Sequence, residues 1–548
     1  MRQVVLENPA LLFLIIFTPV LILLAVWKRC RDFSYRSVFF FCGFLSIAVF
    51  IFINILNLRR PGILWEDEAH ILAVGAAYLH GEPMYHSLSA PDLYSLVYGP
   101  LTYLVYVPFL AGFRHPIPAM RVGTVAINIG ILTTLFFILR RLVSWQAVIG
   151  LLSVATGILL YMGPQLFGTR GDTWMLLCIC VALLGAINDN WIVAAIVSGV
   201  FSSFAMGFKP TMAPIVLLLL AIVYRKHGRR ALIPSACISV AGTLSVYLLR
   251  GISLSNYLEW LVLSDRRQMY GQFMMSISMA AIFLIAPGVL LLAFGARVKR
   301  RSSLGIVLPV LCGVALAACI LTGSKAGAGS WHIWPMLPFL LSWAAYEASV
   351  RGVDREASFG GRSGNGNGTT EGFSVDTRNV VAAIVLAATV VTLRYGFRDL
   401  RLIHVQGESH QRAAERAAEN AIDALTDRMA PGSNLAMGYG LNSVDYRSDL
   451  RFELSLRGQD DFFDEEAMVG AMFEGISIPK GVINRILGCQ DLWMVPHGEV
   501  PFSTLKLGIS PMSPTPYFFP DGIRLGFPKT HVLLEQGAIY DLWGCPSK

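Results

Sequence analysis

Three observations predict an α-helical polytopic membrane protein with a small C-terminal extramembrane domain of α/β or α+β type. Of the 548 residues, 55% are hydrophobic and only 15% charged, with a mean hydropathy of +0.57, whereas soluble domains carry roughly 25% charged residues. The apolar residues fall in long runs near the ~20 that a helix needs to cross the hydrocarbon core. After residue 394 the composition turns mixed, with short apolar segments between polar ones. A soluble cytoplasmic enzyme is thereby excluded. The nine cysteines include no C-x-x-C pair, which rules out a disulfide-dense scaffold and supplies no zinc-ligand spacing.

Taken in order, the apolar runs predict thirteen spans: 9–27, 37–57, 96–113, 122–139, 145–162, 172–188, 191–208, 210–224, 231–249, 276–296, 303–321, 332–350 and 379–394. The first is no cleavable signal, because its basic cluster follows the apolar run and no small-residue cleavage site appears. Lys and Arg mark short cytoplasmic loops. Lys28 to Arg36, Arg225 to Arg230 and Arg297 to Arg301 hold twelve basic residues against Asp32 alone, more than the whole chain's formal charge of +8. The basic balance therefore records membrane sidedness and gives no support to a nucleic-acid partner. It places 58–95, 250–275, 322–331 and everything after 395 on the outward side. Thirteen crossings do not close this parity, which predicts that one stretch between 96 and 224 is re-entrant or a half-span. Residues 351–378, with seven glycines and four basic residues balancing four acids, read as a flexible cytoplasmic linker. Beyond 394, a polar helical run from about 404 to 429 stops at Pro431-Gly432, and NLAMGYG and DLWMVP follow as short apolar segments. Cys489 and Cys545, the only cysteines there, pair if the domain is periplasmic or remain two free thiols.

The residues suited to chemistry lie at the outward ends of the spans. Glu66, Asp67 and Glu68 open a helical segment that Gly81 to Pro83 stops. Acids in a first turn complement the helix dipole, and a partly desolvated carboxylate at a membrane face also serves as a general base. His70, His80, Tyr85, His86, Asp92, Tyr94 and Tyr98 make this loop rich in sugar- and phosphate-binding types. For Tyr94, Tyr98, Tyr103 and Tyr106 an interfacial aromatic belt is the better reading, while Tyr85 and His86 follow a proline turn and suit a site. FGTRGDTWM sets Arg170 and Asp172 between two apolar runs, as a boundary ion pair or as site residues. Lys209 precedes Pro210 inside an apolar stretch, where an unpartnered charge costs about 3 kcal/mol; an anionic lipid phosphate is a suitable partner. Lys325 lies among Gly323, Gly327 and Gly329, whose backbone can converge on an anion, with Trp331 and His332 just beyond. The spacing is not that of a nucleotide-binding loop.

The order of these motifs resembles the GT-C superfamily of integral membrane glycosyltransferases, in the branch of protein O-mannosyltransferases and lipid A aminoarabinose transferase. Asp67-Glu68 with Gly81, Pro83 and Tyr85 resembles that branch's acidic motif in the first outward loop. YGPLTYLVYVPF, TRGDTWMLL, GFKPTMAPIVLLLL and SKAGAGSWHIWPMLPF resemble its later landmarks. The resemblance covers roughly residues 40–350; the span 9–27 is additional to the pattern, and the C-terminal domain matches nothing in it. It implies a transmembrane glycosyltransferase domain over 1–394 with its catalytic loop at 58–95, and an extracytoplasmic domain over 395–548. It further implies inverting transfer of a sugar from a polyprenyl-phosphate donor to a glycan, lipid or protein acceptor of the cell envelope, at the outer face of a bacterial cytoplasmic membrane. Asp67 would be the base, Glu68 its support, and Lys209, Lys325 and Arg170 would hold the donor phosphate, with Tyr85, His86, Asp172 and His332 lining the site. The scheme calls for no metal or cofactor. A polysaccharide polymerase or ligase, a lipid-linked sugar flippase and a receptor are the competing readings; a flippase would show internal repeats, and none is visible.

Overall fold

A computed structural model describes residues 35–58, 60, 63–64, 66–90, 92–265, 269–294, 304–325, 328–350, 377–405, 408–426, 434–440, 444–459, 463–464, 467–468, 478–504 and 519–546. The predicted span 9–27 and, up to residue 376, the predicted linker 351–378 lie outside the described residues.

The chain is a multi-pass helical membrane protein. Seven described helices are long and apolar enough to cross a bilayer. The bundle is built from α1 (Tyr35–Leu58), α5 (Pro116–Arg140), α6 (Trp145–Met162), α7 (Gly171–Ala186), α8 (Trp191–Phe208), α9 (Ala213–His227), α10 (Arg229–Ser245), α12 (Gly271–Phe294), α13 (Leu304–Gly323), α14 (Leu337–Val350) and α15 (Thr377–Val405). Outside it lie α2 (Glu66–Leu79), α3 (Leu101–Leu104), α4 (Val107–Gly112) and α11 (Leu254–Asp265). Local signals set the ends. Pro116 opens α5 where the missing N–H costs nothing. The Asn190 side chain accepts the Ile192 amide at 2.9 Å to start α8. Gly163 and Gly228, at φ 71° and 69°, terminate α6 and α9 in a conformation that L side chains resist.

The predicted span 96–113 is corrected. It is not one helix but the two short pieces α3 and α4, broken around Tyr106 with Pro108 in the first turn of the second. Hydropathy alone does not separate such a stretch from a crossing. Tyr103 and Tyr106 tie it down instead, donating to the carbonyls of Leu96 (3.3 Å) and Arg170 (3.0 Å). With this stretch withdrawn, eleven bundle helices stand among the described residues from α1 to α15, seven of them long and apolar enough to cross. Alternation along these helices sets the ends bearing Arg140, Arg225 and Arg229 opposite those bearing Asp67, Arg170, Lys209 and His332. The aromatic-belt reading is corrected as well: Tyr94, Tyr103 and Tyr106 are at most 2% exposed and belong to a protein core.

That core is shared between the loop after α1 and the C-terminal residues. α16 (Glu408–Thr426), α17 (Val444–Leu456) and α18 (Lys480–Leu487) accompany a four-stranded sheet of β1 (Asn434–Met437), β2 (Asp491–Pro496), β3 (Val532–Gln536) and β4 (Tyr540–Gly544), in the order β1-β2-β4-β3. β1 and β2 run parallel in the register Leu435↔Leu492, and β4 is antiparallel to both β2 and β3. Leu72, Tyr85, Tyr94 and Tyr103 pack in one cluster with Leu435, Tyr439, Phe463 and Trp493. α17 lies along α2, and Leu93 forms a parallel bridge with Phe463. Cys489 and Cys545 are joined as a disulfide, their Cα atoms 5.5 Å apart, which decides between the two alternatives the sequence left open.

Candidate functional site

The first turn of α2 carries two adjacent carboxylates with opposite surroundings. Glu68 is fully buried and saturated. It accepts from Arg121 Nη1 and Nη2 at 2.8 and 3.0 Å, from the Leu64 amide at 2.6 Å, and from the amide and hydroxyl of Thr169. Burial pushes its carboxyl up, but the Arg121 charge and these donors outweigh it and leave the group below the usual carboxylate range. Arg121 Nη1 also donates to the Phe167 carbonyl at 2.7 Å. This pair pins the start of α2 to α5 and to the turn after α6.

Asp67, one residue earlier, keeps 22% of its side chain exposed and meets Arg170 Nη1 at 2.8 Å. Arg170 is 1% exposed, extended ahead of α7 by its β-region backbone. Its Nε lies 3.2 Å from Asp172 Oδ2, and Asp172 Oδ1 binds Lys209 Nζ at 2.5 Å. Lys209 reaches this point because α8 stops at Phe208 and Pro210 begins a short 3-10 turn, just as the Lys-Pro step predicts. Tyr98 and Trp331 close two sides: the Lys209 ammonium is 5.0 Å from the Tyr98 ring centroid and the Arg170 guanidinium 5.1 Å from that of Trp331, distances at which a ring face attracts a cation.

The chain of charges Asp67–Arg170–Asp172–Lys209 is incompletely bonded. None of the three Arg170 nitrogens makes an aligned hydrogen bond, nor do Asp172 Oδ2 and His332 Nδ1. His332 is carried by the 3-10 segment Ser330–Met336, which packs against α7. Buried polar groups normally find partners, so these orphaned atoms mark where a ligand would be received.

Among the predicted residues, Asp67, Arg170, Asp172 and Lys209 thus converge, with His332 electrostatically coupled to Asp172. Lys325 stands at the far end of the glycine-bearing loop, half-buried, its backbone bridged to Met269. Tyr85 and His86 serve the loop itself. Tyr85 is buried and donates to the Tyr98 carbonyl at 2.6 Å. His86 Nε2 accepts the Tyr94 and Ser95 amides while Nδ1 faces the Ser87 carbonyl, and burial holds its pKa below the usual histidine range. His70 is turned away, 2.6 Å from Asp464. Arg121 was missed. The signal available was a lone arginine in the first turns of an apolar helix, at the end opposite Arg140 and Arg141.

No family model matches the sequence, and no curated relative matches it. Solved structures do. The crystal structure of ArnT from Cupriavidus metallidurans in the apo state covers 91% of this chain and 97% of its own at TM-score 0.53, with 12% identity. The fold is that of ArnT. The crystal structure of the same ArnT bound to undecaprenyl phosphate matches over the same shares at TM-score 0.54 and 12% identity. The resemblance read from short motifs therefore holds at the level of the fold.

Proposed function

We propose that this chain is a membrane glycosyltransferase that moves a sugar from a polyprenyl-phosphate donor to an acceptor hydroxyl of the cell envelope, with Asp67 as general base. The observation carrying this reading is Arg170: a buried guanidinium without aligned hydrogen bonds, 2.8 Å from a partly exposed carboxylate. A cation with spare donors beside a base is what transfer from a phosphate leaving group requires. The ArnT relative that binds undecaprenyl phosphate supports a lipid-linked donor.

In the proposed step, the donor phosphate engages Arg170 and Lys209, with Lys325 and His332 on the adjoining loop. By competing for Arg170 it releases the Asp67 carboxylate from its ion pair. Asp67 then takes the proton of the acceptor hydroxyl, whose oxygen attacks the anomeric carbon as the carbon–oxygen bond to phosphate breaks. The leaving polyprenyl phosphate gains negative charge, and the cations stabilise it. Attack opposite the leaving group inverts the anomeric centre. Glu68, saturated by Arg121, holds α2 so that Asp67 faces this point, and Asp172 sets the separation of Arg170 and Lys209. Tyr85 and His86 contribute by shaping the loop over the site.

We assign residues 1–394 to the transferase domain and 395–548 to an extracytoplasmic domain, both working at the outer face of a bacterial cytoplasmic membrane; a C-terminal reporter active only in the periplasm checks this sidedness. Asp67→Asn keeps size and removes the base. Transfer from a polyprenyl-phosphate sugar is expected to fall by about 10²–10⁴-fold with an unchanged melting temperature, and full activity in correctly inserted protein would eliminate Asp67 as base.

A further inference from the structure

The outward end of α15 carries a second collection of cations, unconnected with the site above. Arg394, Arg398 and Arg401 are spaced i, i+4 and i+7, which puts them on one helix face. Arg394 and Arg401 are exposed and Arg398 is one-third exposed. The same turns expose Val390, Leu393, Phe397 and Leu400, Phe397 by 68%. A face both apolar and exposed on a crossing helix is a face toward acyl chains, so the guanidiniums sit where that surface reaches the headgroups.

Their end of the bundle is the end that holds Asp67. Arg398 Nη2 donates to the Leu160 carbonyl at 2.9 Å, and Leu160 is three residues before Gly163, where the chain turns toward Thr169 and Arg170. Charge bias disfavours arginine on this side. A single arginine would be an interfacial anchor, but three on one face, with Arg60 buried nearby and acting on Asp399, exceed that need.

Arg394 and Arg398 are also held in place. Tyr395 has the Arg398 guanidinium 4.7 Å and the Arg394 guanidinium 5.9 Å from its ring centroid. Asp399 Oδ1 accepts from Arg398 Nε and Nη2 at 2.9 and 2.8 Å. Neither Arg394 nor Arg401 has a carboxylate partner among the described residues. Such an arrangement presents planar donors at headgroup depth above an apolar surface, the combination that suits a phosphate carried on acyl chains.

We propose that this face of α15 binds an anionic phospholipid of the leaflet on the active-site side, the phosphate on Arg394 and Arg401 and the chains against Leu393, Phe397 and Leu400. The site is independent of the transferase reading, and its test reads no activity. Full-length protein in phosphatidylcholine nanodiscs is titrated with phosphatidylglycerol, and retained lipid is counted by native mass spectrometry for wild type, Arg394→Gln/Arg401→Gln and Arg394→Lys/Arg401→Lys. Arg398 is left intact because it packs against α6. The wild type is expected to prefer phosphatidylglycerol, and the glutamine pair to lose about 30-fold of that preference, roughly fivefold for each charge removed. The lysine pair, with charge retained, should keep most of it. Equal retention of both lipids by wild type, or an undiminished preference in a folded glutamine pair, overturns the proposal. Displacement of phosphatidylglycerol by millimolar inorganic phosphate would do so too, because it would make this a site for free phosphate.

Discussion

Two buried charge clusters flank α2, and they differ in how completely they are bonded. On one side Glu68 is saturated by Arg121, Leu64 and Thr169, and both terminal nitrogens of Arg121 are bonded, to Glu68 and to the Phe167 carbonyl. On the other, Arg170 stands between Asp67 and Asp172 without one aligned hydrogen bond. A saturated carboxylate has nothing left to offer a ligand, and removing its cation strands a charge in the interior. An unsaturated chain already bears the cost of its missing bonds and regains them when a ligand arrives. A single residue step along α2 therefore separates a saturated carboxylate from one held on an unsaturated cation, although the two are identical in charge.

The largest effect that would break this contrast is expected at Arg121. Arg121→Leu leaves Glu68 buried without its cation, and breaking a buried pair in this way costs about 3–5 kcal/mol. Thermal unfolding in detergent should show it, and Glu68→Leu/Arg121→Leu should recover most of the loss. If Arg121→Leu melts like wild type while transfer collapses, Arg121 belongs to the chemistry and the contrast fails.

A smaller effect is expected where α2 meets the C-terminal residues. His70 and Asp464 are 2.6 Å apart and Arg451 lies 3.6 Å from the same carboxylate oxygen, all nearly inaccessible. Burial alone would raise the Asp464 pKa, but His70, Arg451 and the Ala467 amide outweigh it and hold the carboxyl below its ordinary range. A depressed carboxyl contributes stability that is present above its unfolded value of about 4 and is lost as pH falls through its folded value. Asp464→Asn should cost about 1.5–3 kcal/mol at neutral pH and flatten the acid limb of the melting curve. An unchanged acid limb would mean that other carboxylates govern it.

Most of the bundle was legible because hydropathy and proline or glycine punctuation act locally: 145–162 and 191–208 coincide with α6 and α8. The half-span was not, because its burial comes from Tyr103 and Tyr106 reaching across to other segments. Lys209 was legible as a charge where charge is costly, Arg170 and Asp172 as charges at a helix boundary, and Asp67 as an acid opening a helix. Glu68 and Asp67 looked alike, and only Arg121, brought from α5, tells them apart. His70 resembled a sugar-binding residue until Asp464, 394 positions away, claimed it. Long-range pairing of this kind leaves no periodicity for a sequence to show.

The smallest effect tests how the unsaturated cluster is walled. Tyr98 was read as one of a membrane belt, yet its ring covers the Lys209 ammonium. A cation over a desolvated ring is worth about 1–2 kcal/mol, and Asp172 continues to hold Lys209 if the ring is lost. Tyr98→Leu should therefore weaken donor binding by about five- to thirtyfold, with little change in melting temperature and the maximal rate retained. Equal loss of rate and affinity would place Tyr98 against the reacting atoms. A loss of stability without either would return it to the core, alongside Tyr103 and Tyr106.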